Sequence, residues 1–225
     1  MADSYNCFVG TSIGGRGLGM KRTFLAAALL ATVGAANALV TWVPSATVKR
    51  TEAFNNIAGV GTYAVGTSLT TGDLLGGAGG SYLYTFTYLG EESGFSDKFH
   101  LVVNGSTLTE ANAVGTSISG VFGPGYINFK FEGNTGKFAI NGGAKDAGTS
   151  IGLIGTNMTV SSGAAAGTYA FILGYNDSAG ATTLGDWDDF VVGVNVTAVP
   201  EPDAYGLGLA GFAVVGLFAC RRRAN

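Results

Sequence analysis

The stretch Tyr82-Leu83-Tyr84-Thr85-Phe86-Thr87-Tyr88-Leu89 places an aromatic ring at every second position. Side chains two apart share a face only in an extended chain, because a helix repeats about every 3.6 residues and would scatter the four rings around its circumference. The intervening threonines are β-branched and stiff at χ1, which also suits a strand. The segment therefore reads as a strand with one aromatic face. That face is expected to form half of a core, with sugar stacking as the alternative use of a tyrosine ladder.

The same period recurs on both sides of this segment. Phe99, Leu101 and Val103 alternate with Lys98, His100 and Val102. Ile127, Phe129 and Phe131 alternate with Asn128 and Lys130, and Glu132-Gly133-Asn134-Thr135-Gly136 offers a turn into Lys137 to Ile140, which predicts a hairpin. Thr168 to Gly174 and Asp189 to Thr197 read as two further strands, the second with Phe190, Val192, Val194 and Val196 on one face. Nothing between Val40 and Val199 holds a helical period over three turns, and no repeat of fixed length is present.

Composition agrees with this reading. The 225 residues include 38 glycines and only 12% charged residues, too apolar for disorder and too often broken by glycine for a helical bundle. The fold class is accordingly all-β: an antiparallel β-sandwich or jelly-roll-like domain over residues 39–198, flanked by an N-terminal signal helix and a C-terminal transmembrane helix. Residues 39–199 carry six basic and twelve acidic residues, a net charge of −6, which repels phosphate backbones and argues against a nucleic-acid partner. Both cysteines, Cys7 and Cys220, fall outside that domain, so its stability has to come from apolar burial and backbone pairing.

The two ends read as processing segments. Met20-Lys21-Arg22 is followed by the apolar run Phe24 to Val33 and by Ala36-Asn37-Ala38, the three parts of a secretory signal over residues 20–38, with Leu39 as the expected mature start after signal peptidase cleavage at Ala36 and Ala38. Residues 1–19 are polar and glycine-rich, and they read as a mis-assigned N-terminal extension ahead of Met20. At the other end residues 204–220 give 17 mostly apolar residues without a charge, followed by Arg221-Arg222-Arg223. Seventeen is about the shortest span that crosses a bilayer, and glycines at 206, 208, 211 and 216 weaken it further, as suits a temporary anchor. Basic residues at both ends place those ends in the cytoplasm and everything between them outside.

Val199-Pro200-Glu201-Pro202, then a short apolar span, then a terminal basic cluster resembles the tripartite PEP-CTERM sorting signal, over residues 199–225. The two prolines keep the backbone extended and accessible beside the membrane, so Pro200, Glu201 and Pro202 act as substrate. The resemblance implies recognition of these residues by an exosortase, removal of the tail, and release or attachment at the surface of a Gram-negative cell that produces exopolysaccharide and biofilm. Phe95-Ser96-Asp97-Lys98-Phe99 is similar to the F-x-D-x-F pattern of one PEP-CTERM subgroup. The D-x-D-D-F-V-V form of Asp186 to Val192 also resembles a strand entrance common ahead of such tails.

Chemistry is sparse. A single histidine, His100, excludes sites that need several imidazoles, and its strand parity with Lys98 suggests an exposed position. Glu91 and Glu92 are adjacent and point to opposite faces of a strand, so they cannot flank one glycosidic bond. Phe95 and Phe99 share a strand face, as two core residues do. Asp186, Asp188 and Asp189 crowd one strand entrance and form the candidate calcium ligands, with Asn176 and Asp177 available from the preceding turn; solvated loop carboxylates are the alternative. The expectation is a non-enzymatic, exported surface or matrix protein that needs no cofactor, apart from the candidate Ca²⁺, and associates with exopolysaccharide. The alternative is a calcium-dependent carbohydrate-binding module.

Overall fold

The computed structural model describes residues 40–49, 67–133, 136–177 and 187–199. The expected extension 1–19, signal segment 20–38, processing residues Pro200, Glu201 and Pro202, span 204–220 and arginines 221–223 all lie outside the described residues. Among the described residues no helix is long and apolar enough to cross a membrane.

Twelve strands follow in chain order. They are β1 (Thr41–Lys49), β2 (Ser68–Gly76), β3 (Tyr82–Gly90), β4 (Lys98–Leu101), β5 (Thr107–Thr109) and β6 (Ser117–Phe122). After them come β7 (Gly125–Tyr126), β8 (Phe129–Glu132), β9 (Phe138–Ile140), β10 (Ser150–Val160), β11 (Gly167–Asn176) and β12 (Phe190–Ala198). One sheet runs β1-β2-β10-β11-β12-β3-β6, with β7 paired to β2, and a second runs β5-β4-β8-β9. Every pairing between them is antiparallel, so the all-β, antiparallel expectation holds.

The aromatic face of β3 explains how the sheets meet. Tyr82, Tyr84, Phe86 and Tyr88 are all buried, in one core that also contains Phe99 and Leu101 of β4 and Phe129 and Phe131 of β8. Phe86 of the larger sheet packs on Phe99 of the smaller one at a centroid distance of 4.7 Å, and Phe131 of the smaller sheet stacks on Tyr175 of β11 at 5.2 Å and 4°. Each such pair adds about 0.5–1.5 kcal/mol beyond the area it buries. The ladder is thus core and offers no sugar a platform. Phe190, Val192 and Val194 of β12 join it from the face that their spacing predicts, with Val196 packed at its edge.

One strand end differs from the sequence reading. The β8–β9 hairpin forms as expected, with Phe131 opposite Ala139 and Gly136 at φ 77° in the turn. By contrast β4 stops at Leu101, leaving Val102 and Val103 exposed in a turn. Gly105 at φ 70° reverses the chain there, its N–H donating to the Leu101 carbonyl, and Leu101 N–H donates to the Ser106 carbonyl. A left-handed residue closes the hairpin before the apolar alternation runs out.

Candidate metal centre

The acidic turn before β12 is held from beneath by Trp187. Its ring lies on the outer face of the larger sheet over Gly152 of β10 and Gly174 of β11, which sit directly opposite each other. A β-carbon on Gly152 would fall 2.3 Å from the indole, and one on Gly174 would fall 2.0 Å from the Trp187 carbonyl oxygen. Trp187 is fully buried, and its Nε1–H donates to Ser150 Oγ at 2.8 Å. Glycine in two adjacent strands therefore makes the flat seat that fixes the following residues, Asp188 and Asp189.

From that turn Asp189 reaches Asp177, which follows β11, and one Asp189 oxygen accepts the Asp177 N–H at 2.7 Å. Asp97, immediately before β4 in the smaller sheet, completes a trio with one ligand oxygen from each residue within 4.8 Å of the others. Asp97 is only 1% exposed, and neither of its carboxylate oxygens has a hydrogen-bond partner. Its own N–H is fixed by Glu110 Oε1 at 2.5 Å. Gly133, at the β8–β9 turn, lies against it, since a β-carbon there would come 3.0 Å from Asp97 Oδ1. Tyr175 forms the floor, donating its hydroxyl to the Lys137 carbonyl at 3.1 Å.

The electrostatics follow from this crowding. Burial first, and then the negative charge of Asp177, push the Asp97 carboxyl up to about 7, with Glu110 and Glu91 adding to the rise; the Ser93 hydroxyl, near but outside hydrogen-bonding geometry, opposes it. Burial likewise raises Glu110, although the Asp97 N–H pulls the other way. The Tyr175 phenol rises by burial and then by the field of Asp97, Asp177 and Asp189. An acid poised near neutrality resembles a general acid, but oxygens shut from solvent cannot meet a sugar ring.

The expected ligand set is thus redistributed. Asp189 belongs to the trio, and so does Asp177 from the preceding turn. Asp188 does not; it is buried, and its carbonyl accepts the Glu92 N–H at 2.9 Å. Asp186 lies outside the described residues. The residue that sequence reasoning missed is Asp97, inside Phe95-Ser96-Asp97-Lys98-Phe99, where attention to ring spacing hid an inward-facing carboxylate in phase with Phe99 and Leu101. Of those rings Phe99 is core while Phe95 is 43% exposed, because Phe95 precedes the strand. His100, expected on the surface, is half-buried, with Nδ1 3.0 Å from Thr107 Oγ1 and Nε2 3.5 Å from Glu132 Oε2.

Compared with known proteins, residues 198–223 match the model of the PEP-CTERM protein-sorting motif. The match begins on Ala198, the last residue of β12, so the motif follows the sheet without an intervening segment. It implies an exosortase-targeted protein exported across the membrane to the cell surface. No curated protein and no solved structure matches the chain.

Proposed function

We propose that this chain, bearing the PEP-CTERM motif, is a non-enzymatic surface or matrix protein whose β-sandwich is delivered outside a Gram-negative cell and associates there with exopolysaccharide. The observation that carries the reading is the sorting motif at residues 198–223, joined directly to the final strand of the domain. A domain with one histidine and a negative net charge suits a structural role among polysaccharides better than acyl transfer or nucleic-acid binding. Kinship with the F-x-D-x-F subgroup rests on Phe95, Asp97 and Phe99 and belongs to this proposal.

In this reading signal peptidase removes residues up to Ala38, residues 204–220 hold the chain in the membrane transiently, and exosortase acts at Pro200-Glu201-Pro202. The mass and location of the mature protein in cells with and without the exosortase test it. Loss of the tail in the normal host and retention of an intact tail in the deletion strain are expected. An intact tail in both strains refutes processing. A glycan array tests the polysaccharide association separately. A calcium-dependent carbohydrate-binding module is the second reading, favoured by the aspartate trio but without the tyrosine ladder as a sugar platform.

A further inference from the structure

We propose that Asp97, Asp177 and Asp189 form a calcium site that ties the two sheets together. The three residues come from three separate segments: Asp97 leads into β4 of the smaller sheet, Asp177 follows β11 of the larger sheet, and Asp189 leads into β12 beside it. Their ligand oxygens lie within 4.8 Å of one another. Calcium binds oxygen at about 2.3–2.6 Å, so ligands on opposite sides of one ion stand about 4.6–5.2 Å apart. The spacing fits a single ion at the centre of the trio.

Asp97 provides an observation independent of the clustering. A carboxylate 1% exposed with neither oxygen hydrogen-bonded is costly to bury, and proteins bury such charges against a partner or a metal. A proton shared with Asp177 could relieve the repulsion without an ion. That carboxyl would then donate a hydrogen bond, and neither Asp97 oxygen lies in bonding geometry with any acceptor. A cation satisfies both oxygens at once.

The donor set selects the ion. Oxygen ligands alone, without imidazole or thiolate, suit a hard cation. Ligands gathered from three loops give an irregular shell that calcium, with about six to eight flexible ligands, tolerates and magnesium, which demands a near-ideal octahedron, does not. Glu110 and Glu91 add negative field behind Asp97, favouring a divalent charge. The site stands on this geometry and not on where the chain is delivered, so failure of the sorting reading would leave it intact.

The test is a calorimetric and thermal titration of the full-length chain, stripped of metal with a chelator, using CaCl₂ and MgCl₂ as the probes. Calcium at about a hundredfold excess over its dissociation constant is expected to raise Tm by about 5–10 °C, with a weaker response to magnesium. Asp97→Asn, which keeps the shape of the side chain, is expected to weaken calcium binding at least about tenfold. Asp188→Asn is expected to bind as the wild type does. Should Asp97→Asn not fold, Asp189→Asn carries the same expectation. The proposal is overturned if folded wild-type chain gives neither heat nor a Tm shift up to about 10 mM calcium, the weak end for extracellular sites. It is equally overturned if magnesium acts as strongly as calcium or if a folded Asp97→Asn binds unchanged.

Discussion

The Asn141 side chain pairs with both main-chain groups of Leu74: its Oδ1 accepts the Leu74 N–H at 2.6 Å, and its Nδ2 donates to the Leu74 carbonyl at 2.8 Å. The same Nδ2 donates to the Ile127 carbonyl at 2.9 Å. Asn141 follows β9 of the smaller sheet, whereas Leu74 is in β2 of the larger one, so a buried amide imitates a strand partner where the sheets are not paired. Asn141→Ala leaves two carbonyls and one N–H without this partner. The Leu74 carbonyl keeps the Ile127 N–H and the Ile127 carbonyl keeps the Phe129 N–H, so one buried N–H is orphaned and the loss should be about 1–3 kcal/mol. Urea denaturation reads it, and a loss below about 1 kcal/mol would show that solvent replaces the amide.

The seat under Trp187 makes a prediction with its own control. Gly174→Ala pushes a methyl group into the Trp187 carbonyl, and overpacking of this kind costs about 1–3 kcal/mol. It should also weaken the calcium response, because the turn bearing Asp189 is displaced. Gly94→Ala adds a methyl with nothing within 4 Å and should change stability by less than about 0.5 kcal/mol. Equal effects from the two substitutions would mean that glycine acts here through chain entropy and not through space.

Phe95 and Phe99 occupy equivalent places in one short pattern, yet their fates separate. Phe99 is fully buried and packs on Phe86, Phe129 and Phe131, so Phe99→Ala should cost about 3–5 kcal/mol. Phe95→Ala should stay within about 0.5 kcal/mol, since its ring is exposed and outside the core. Comparable losses at both positions in thermal unfolding would contradict this placement.

His100 gives the fold an acid-sensitive element. Burial and then the charge of Lys130 hold its imidazole below the usual 6.5, with Lys98 assisting and Glu132 opposing. Above pH 6.5 the ring is neutral folded or unfolded. As pH falls through 6.5 the unfolded chain takes up a proton that the folded one resists, so stability declines from there down to the lowered folded pKa. Glu132, held low first by its hydrogen bond from Lys130, loses its contribution only as pH falls from about its ordinary 4.5 toward that lowered value. His100→Gln should therefore flatten the Tm profile just below about pH 6.5 and leave the more acidic limb in place. An unchanged upper limb would assign that slope to another group.

How far the sequence could be read depended on where each piece of information resides. Alternation is local, so the strands around Phe86, Phe129 and Val192 were legible, as was the turn at Gly136. Strands β1, β2, β6 and β10 are rich in glycine, serine and threonine, carry little apolar contrast, and were not singled out. Pairing is non-local. Nothing near Val192 specifies that β12 lies between β11 and β3, across some hundred residues of chain. The candidate site suffered from the same limit: Asp188 and Asp189 are neighbours in sequence, but only Asp189 turns toward Asp97, which lies 92 positions earlier. Strand parity was the one local clue, because it placed the Asp97 carboxylate on the same side as Phe99.

The route by which the chain leaves the domain also has a mechanical consequence. Ala198 is still paired with Tyr82, and the Val199 N–H donates to the Ser81 carbonyl at 3.0 Å, so no slack separates the sheet from Pro200. Were the protein tethered through Pro200 and dragged by moving fluid, the pull would run along β12, which β3 holds as far as Ala198 and β11 holds over residues 190–194. Both rows of hydrogen bonds lie across that direction and would have to slide together, whereas an edge strand such as β1 could be peeled one bond at a time.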